Sequence, residues 1–276
     1  MFRLVSPAVA VQVALVGSEL QDKNFDDFAE RFGKNIYEHT KGKIRLQLLL
    51  EDFHDLVPFI EEGGLDILDA GCGIAYFSSM LANAQHKFTL CDISASMLAQ
   101  ARERFDNISN VDAEFHQLPV QEIHHRLERS YDVVCLHAVL EWLAEPKRGL
   151  ESVFPLIKPG GYFSLLFYNR YSLVYKHLIM GNYRRLNDRD VNGFGGTLTP
   201  IHPLDPYEVE HWVESLGLTI LRKTGIRTFF DYQMPDVKNG RSFEDTYEME
   251  QRYARQQPFT YLGRYIHFLC QKPVNE

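Results

Sequence analysis

The run Ile67-Leu68-Asp69-Ala70-Gly71-Cys72-Gly73 constrains this chain more than any other feature, because it drives an apolar strand into a glycine turn that opens a helix. Glycines at 71 and 73 let the backbone bend tightly and approach a ligand where a Cβ would collide. Alone the signal is weak, since glycine closes many strand-to-helix connections for steric reasons. About 20 residues further on, Leu90-Cys91-Asp92 puts a carboxylate at the end of a second strand, where a ribose diol can be gripped by two hydrogen bonds.

The surrounding chain keeps the same rhythm. Extended runs at 66–69, 88–91, 113–115 and 131–136 alternate with helical ones at 76–84, 97–105 and 149–157, which predicts a parallel α/β sheet. The turn Lys158-Pro159-Gly160-Gly161 leads into a fifth buried strand over 162–168. Ahead of the sheet, Phe25, Phe28, Ala29 and Phe32, then Ile44, Leu46, Leu48, Leu49, Leu50, Phe53, Leu56 and Val57, predict a helical cap over 24–60. Residues 169–206 break the rhythm and read as an insertion after the fifth strand. Asp205-Pro206 starts a helix over 207–216, closed by Gly217, and the runs at 218–224 and 261–270 pair as an antiparallel finish. The organisation expected is a leader over 1–20 and a single domain over 21–276.

Composition narrows the function classes. Hydrophobic residues at 45% and charged ones at 24% are those of an ordinary globular protein, and a net charge of −8 argues against gripping nucleic acid by bulk charge. Cys72, Cys91, Cys135 and Cys270 are widely separated with no CxxC pair, so reduced thiols and no metal site are expected. The first twenty residues loosely imitate a signal peptide. Their apolar run is short, Pro7 interrupts it and charges follow directly, so a cytoplasmic protein with no membrane association is expected.

Tyr76 stands where a dinucleotide fingerprint carries its third glycine, which disfavours a bound pyrophosphate. A nucleoside ligand lacking a diphosphate, such as S-adenosylmethionine, suits Asp69, Gly71, Gly73 and Asp92 better. Val120 and Gln121, in the loop after the third strand, can present a contact and a hydrogen bond to adenine, although an ordinary connecting loop is the plainer reading. His137 ends a buried strand on the side where open α/β sheets bind ligands, a place that also suits a hydrogen-bonded structural histidine.

With these residues in place, LDAGCG, LCDIS, YDVVCLHAVLEWL and IKPGGYFSLLF resemble, in order and spacing over 65–168, the class I S-adenosylmethionine-dependent methyltransferases. The flanking NFDDFAERFGKNIYEHTKGKIR and LGRYIH, with HAVLEWLAEP, are similar to the tRNA 5-carboxymethoxyuridine methyltransferase family over roughly 21–273. The resemblance implies the family's Rossmann-like, mostly parallel sheet with an antiparallel C-terminal strand. It implies an enzyme that methylates the carboxylate of 5-carboxymethoxyuridine in the tRNA anticodon loop, forming the methyl ester. It also implies cofactor contacts by Arg45, Gly71, Cys72, Asp92, Val120, Gln121 and His137, with Arg45 facing the methionine carboxylate. Two departures stand out: Cys72 occupies a position where relatives carry another glycine, and a lysine-rich stretch of the family is replaced by residues 190–196 before Thr197-Leu198-Thr199-Pro200.

A carboxylate is already a nucleophile at neutral pH, so no general base is assigned. A cation must hold it, and Lys41, Arg45, His137, Arg227 and Arg264 are the candidates. For tRNA contact, Arg170, Lys176, Arg184, Arg185 and Arg189 are interleaved with Tyr171, Tyr175 and Tyr183 against a single Asp188, a mixture that suits phosphates and unpaired bases. Methylation of a small carboxylic acid, or nucleoside binding without catalysis, are the alternatives.

Overall fold

The computed structural model describes residue 22 and residues 39–82, 85–187 and 200–274. Among them the strands are β1 (Asp66–Ala70), β2 (Lys87–Asp92), β3 (Asp112–Gln117), β4 (Tyr131–His137), β5 (Ile157–Tyr168), β6 (Thr219–Ile226) and β7 (Tyr265–Gln271). They form one sheet in the order β3-β2-β1-β4-β5-β7-β6. The first five are parallel, and β7 runs antiparallel to both β5 and β6. The expected mostly parallel sheet with an antiparallel C-terminal strand is therefore the observed one. Its last strand starts at Tyr265 rather than 261, because Phe259–Leu262 coils into a short 3-10 turn first.

The helices are α1 (Thr40–Leu56), α2 (Tyr76–Leu81), α3 (Ala95–Asp106), α4 (Ile123–Arg126), α5 (Pro146–Val153), α6 (Arg170–Ile179), α7 (Tyr183–Asn187), α8 (Pro206–Ser215), α9 (Pro235–Asn239) and α10 (Phe243–Tyr253). Successive strand residues point to opposite faces, which splits the core in two. Ile67, Val133, Cys135 and Leu166 meet α1, α2 and α3 on one face, whereas Leu68, Val134, Leu136 and Leu165 meet α5 and α8 on the other. On α1 the buried Ile44, Leu48 and Asp52 recur every fourth residue, as do Arg45, Leu49 and Phe53. Each large apolar side chain buried here contributes roughly 2 kcal/mol, and the same helical period carries Arg45 and Asp52 into the interior.

Strand order reverses between β1 and β4, which opens a crevice at the carboxyl ends of the strands, where such sheets bind ligands. The excursion after β5 leaves and returns at one point. Arg170 N–H donates to Leu204 O over 2.9 Å, and Leu204 N–H to Tyr168 O over 2.9 Å. Its first part is helical, α6 starting from the Asn169 side chain, which accepts the Tyr171 N–H. No helix among the described residues is long and apolar enough to cross a membrane. The expected leader over 1–20, the first half of the helical cap, Arg189 and the segment 190–199 lie outside the described residues.

Candidate functional site

A cavity of about 500 Å³ occupies the crevice. Its first half is built by the carboxyl ends of β1 to β4. Gly71 and Gly73 take φ of +78° and +55°, and a Cβ at Gly71 would fall 2.3 Å from Val139 Cγ2, so only glycine fits there. Gly71 N–H and Cys72 N–H both donate to Cys91 O, at 2.7 and 2.9 Å, which folds the turn back over β2. The Asp92 carboxylate accepts Gly73 N–H over 2.7 Å and Ser94 N–H over 2.8 Å. Asp92 is thereby aimed across the turn, with Val120 and Gln121 lining the wall beyond it.

Asp69, below the turn, accepts the Ser78 hydroxyl over 2.5 Å. Burial, with the neighbouring Asp92 charge, pushes its carboxyl up to about 7 against the opposing Ser78 bond. Cys72 is buried, and burial with Asp69 and Asp92 pushes its thiol up, so it is not a reactive nucleophile. Gln121 donates its side-chain amide to Asp22 Oδ2 over 2.7 Å, and Asp22 also lines the cavity. Arg45, 8% exposed, reaches the same space from α1 and lies 5.8 Å from the Tyr265 ring centroid. His137 lines the floor. Burial, with His267 and Arg45 nearby, holds it well below the ordinary histidine range, so it brings no positive charge to the cavity.

The second half is cationic. Lys41, Lys176, Arg227, Lys238 and Arg264 line it around one buried carboxylate, Asp231. Asp231 Oδ2 lies 3.0 Å from Arg227 Nε and 3.1 Å from Arg264 Nε, and Oδ1 lies 3.6 Å from Lys41 Nζ. Burial pushes the Asp231 carboxyl up, but Arg227, Arg264 and Lys41 prevail and hold it at about 2. Arg264 also donates from Nη1 to the Tyr168 hydroxyl over 3.1 Å. Arg227 sits at φ +62°, a left-handed conformation costly for a non-glycine residue, immediately after β6. Burial, with the neighbouring cations, lowers the amines of Lys176 and Lys238. Among the described residues of this half, five cations against one carboxylate leave an excess of positive charge facing the cavity, suited to an anionic ligand.

The structure thus brings Lys41, Arg227 and Arg264 together and sets His137 apart from them. Lys176, a candidate for tRNA contact, lines the cavity. Arg170 and Arg184 are exposed on α6 and α7, and the Arg185 side chain lies outside the described residues. Tyr171 is tied inward by donating to Asp205 over 2.7 Å, whereas Tyr175 and Tyr183 are 38% and 59% exposed beside Leu178, Ile179 and Met180. Sequence reasoning missed Asp231, Lys238 and Tyr168, which stand in no motif, and Tyr265, which lies within LGRYIH but was given no role. It also missed Glu141, wholly buried, whose carboxyl is pushed up to about 8 by burial against the opposing backbone hydrogen bonds of Glu141 and Tyr168 and the Arg45 charge.

Residues 68–163 match the family described as methyltransferase domain. The chain is 36% identical, over 93% of its own length and 99% of the relative's, to the tRNA 5-carboxymethoxyuridine methyltransferase of Escherichia coli strain K12. It is 26% identical, over 59% of its length and 67% of the relative's, to the ubiquinone biosynthesis O-methyltransferase of Acinetobacter baumannii strain AYE. Among solved structures, magnesium protoporphyrin IX methyltransferase from Synechocystis with bound SAH superposes with a TM-score of 0.61 at 15% identity, covering 90% of this chain and 96% of that one.

Proposed function

The chain belongs to the tRNA 5-carboxymethoxyuridine methyltransferase family, and we propose that it esterifies the carboxylate of that wobble nucleoside with the methyl group of S-adenosylmethionine. The observation that carries the reading is the pairing of two unlike half-sites in one cavity: a glycine turn facing Asp92, and an arginine-lysine cage around Asp231. The residues suit the cofactor. The glycine turn that lines the cavity and the fixed Asp92 carboxylate fit a ribose, and a cavity of about 500 Å³ fits a nucleoside-sized ligand.

Bound S-adenosylmethionine supplies an electrophilic methyl on a sulfonium. Asp92 would hold the ribose diol, Val120 and Gln121 would border the adenine, and Arg45 would face the methionine carboxylate. Arg227 and Arg264 would hold the substrate carboxylate, each already turned by Asp231, with Lys41 closing the cage. The substrate arrives ionised, so no residue has to remove a proton. The work of the protein is to place an oxygen in line with the methyl, at roughly 3 Å, and to exclude water. Asp231 offsets part of the cage's charge, which keeps the cations from binding the oxygen so tightly that it ceases to attack.

The tRNA would enter over α6 and α7, with Arg170 and Arg184 on phosphates and Tyr175 or Tyr183 against an unpaired base. Such a substrate would be met in the cytoplasm. Labelled methyl transfer from S-adenosylmethionine is the test: label in tRNA bearing 5-carboxymethoxyuridine supports the proposal, and label only in free carboxylic acids contradicts it.

A further inference from the structure

The short segment that joins Arg227 to Asp231 is held from behind by a carboxylate that no step of the esterification touches. Glu250 lies on α10 and is 0% exposed, one turn beyond Thr246 on the buried side of that helix. Its Oε2 accepts Thr228 N–H over 2.7 Å and the Thr228 hydroxyl over 2.9 Å. Its Oε1 accepts Phe230 N–H over 2.9 Å and Phe229 N–H over 3.3 Å. Three of the four donors are backbone N–H groups, which cannot turn away to another partner. Burial pushes the Glu250 carboxyl up, against the pull of these donors. The helix that carries it is itself anchored. Tyr247 donates its hydroxyl to Glu51 of α1 over 2.5 Å, and the carbonyl of Ala254, the residue after α10, accepts Gly225 N–H of β6 over 2.7 Å.

The clamp closes on the backbone of the cationic half-site. Arg227 precedes it directly at φ +62°, a conformation that a non-glycine residue keeps only where its surroundings impose it. The peptide unit after Arg227 is gripped at both of its polar atoms: Arg227 O accepts Arg264 N–H over 3.3 Å, and Thr228 N–H goes to Glu250. Asp231 follows the clamp directly, with its Oδ2 3.0 Å from Arg227 Nε. Phe230, inside it, has Lys238 Nζ 5.1 Å from its ring centroid. Arg227, Asp231 and Lys238 all line the cavity. We propose that Glu250 is a positioning residue for methyl transfer, holding residues 228–230 so that Arg227 keeps the backbone conformation that presents its guanidinium to the substrate carboxylate, an inference that rests on the methyltransferase reading of the cavity. Glu250 acts through Arg227 and meets neither substrate nor cofactor.

Glu250→Gln keeps the shape of the side chain but sets an NH2 group against backbone N–H donors, so one end of the clamp opens. The single-turnover rate of methyl transfer, with S-adenosylmethionine and tRNA bearing 5-carboxymethoxyuridine both saturating, should fall about tenfold. The Kd for S-adenosylhomocysteine should stay within about twofold of wild type. A purely structural part would lower Tm and leave that rate, measured well below Tm, unchanged. Added to Arg227→Ala, Glu250→Gln should cost less than about threefold, because the group it positions is already gone. Thr228→Val, which removes one donor, should lower the rate about threefold, and it decides the matter if Glu250→Gln does not fold. Thr228→Ser, which keeps the hydroxyl, should stay within about twofold of wild type. A wild-type rate in Glu250→Gln or in Thr228→Val, or a tenfold loss that persists in the Arg227→Ala background, overturns the proposal. A wild-type protein that transfers no methyl to this tRNA overturns the reading of the cavity beneath it, and the proposal with it.

Discussion

Gly73 donates its backbone N–H to the Asp92 carboxylate over 2.7 Å, which ties the turn after β1 to the acid at the end of β2. The bond couples two features that a ligand would meet together: the glycine turn at 71–73 and the carboxylate opposite it. Asp92→Ala removes both the ribose partner and the pin on the turn. The cofactor Kd measured by calorimetry should rise by about 30-fold or more, as expected for loss of two charge-assisted hydrogen bonds. An unchanged Kd would refute the ribose role.

Gly71→Ala tests the turn. The new Cβ meets Val139 Cγ2 at 2.3 Å and forces φ of +78° on a residue that resists it. Cofactor affinity should fall by at least about tenfold, with Tm lowered by a few degrees. The double variant Gly71→Ala with Val139→Ala removes the clash but not the strain, and should recover only part of the affinity.

Arg264→Lys keeps the charge but not the fork that spans Asp231 and the Tyr168 hydroxyl. Turnover on modified tRNA should drop by roughly 10- to 100-fold through misplacement of the substrate oxygen, while cofactor binding stays within about twofold of wild type. Equal losses of cofactor affinity and turnover would move Arg264 out of the substrate half.

Arg170→Ala combined with Arg184→Ala addresses the outer face. tRNA affinity should weaken and the slope of log K against log salt should shrink by roughly 1 to 1.5, the release expected from two phosphate contacts on a single strand. Cofactor affinity should stay unchanged, and an unaltered salt slope would remove α6 and α7 from the tRNA path.

Two carboxyl groups give the ligand-free protein a pH signature. Asp69 and Glu141 are pushed up to about 7 and about 8, chiefly by burial, so the folded state holds protons that the unfolded chain releases near pH 4. Their contribution is full below the unfolded value and is lost as pH rises through 7 to 8. His137, held low, acts oppositely up to about pH 6.5, so the decline in Tm should be clearest from about pH 6.5 to pH 8, and Asp69→Asn should flatten it. Asp52 and Asp231, both held at about 2, act oppositely, and their contribution is lost as pH falls from about 4 to about 2. A Tm that rises steadily from pH 5 to pH 8 in the wild type would contradict the first pair.

How much of this was legible in the sequence depends on which half of the cavity is asked about. Asp69 to Gly73, Asp92, Val120 with Gln121, and His137 fall at the ends of successive parallel strands, where apolar runs mark their positions along the chain. The alternation that predicts those strands also predicts the sheet. The opposite half draws single residues from α1, α6, the end of β6, the segment leading to α9, and the start of β7. Asp231 lies four residues after Arg227 and far in sequence from Lys41, with no local pattern announcing that they meet. The buried contact of Asp52 with His267 is less legible still, because the two are separated by 215 residues and become neighbours only when β7 inserts between β5 and β6. Lys176 was visible as a cation, but the turn of α6 that points it into the cavity was not.

The central claim is that the carboxylate of 5-carboxymethoxyuridine receives the methyl group. The most direct measurement is nucleoside mass spectrometry of tRNA incubated with the protein and S-adenosylmethionine, alongside the same tRNA carrying a wobble uridine without the carboxymethyl arm. Only 5-carboxymethoxyuridine should gain one methyl, and mild alkali, which cleaves esters, should remove it. A methyl that survives alkali, or that appears equally on tRNA lacking the carboxylate, would contradict that claim.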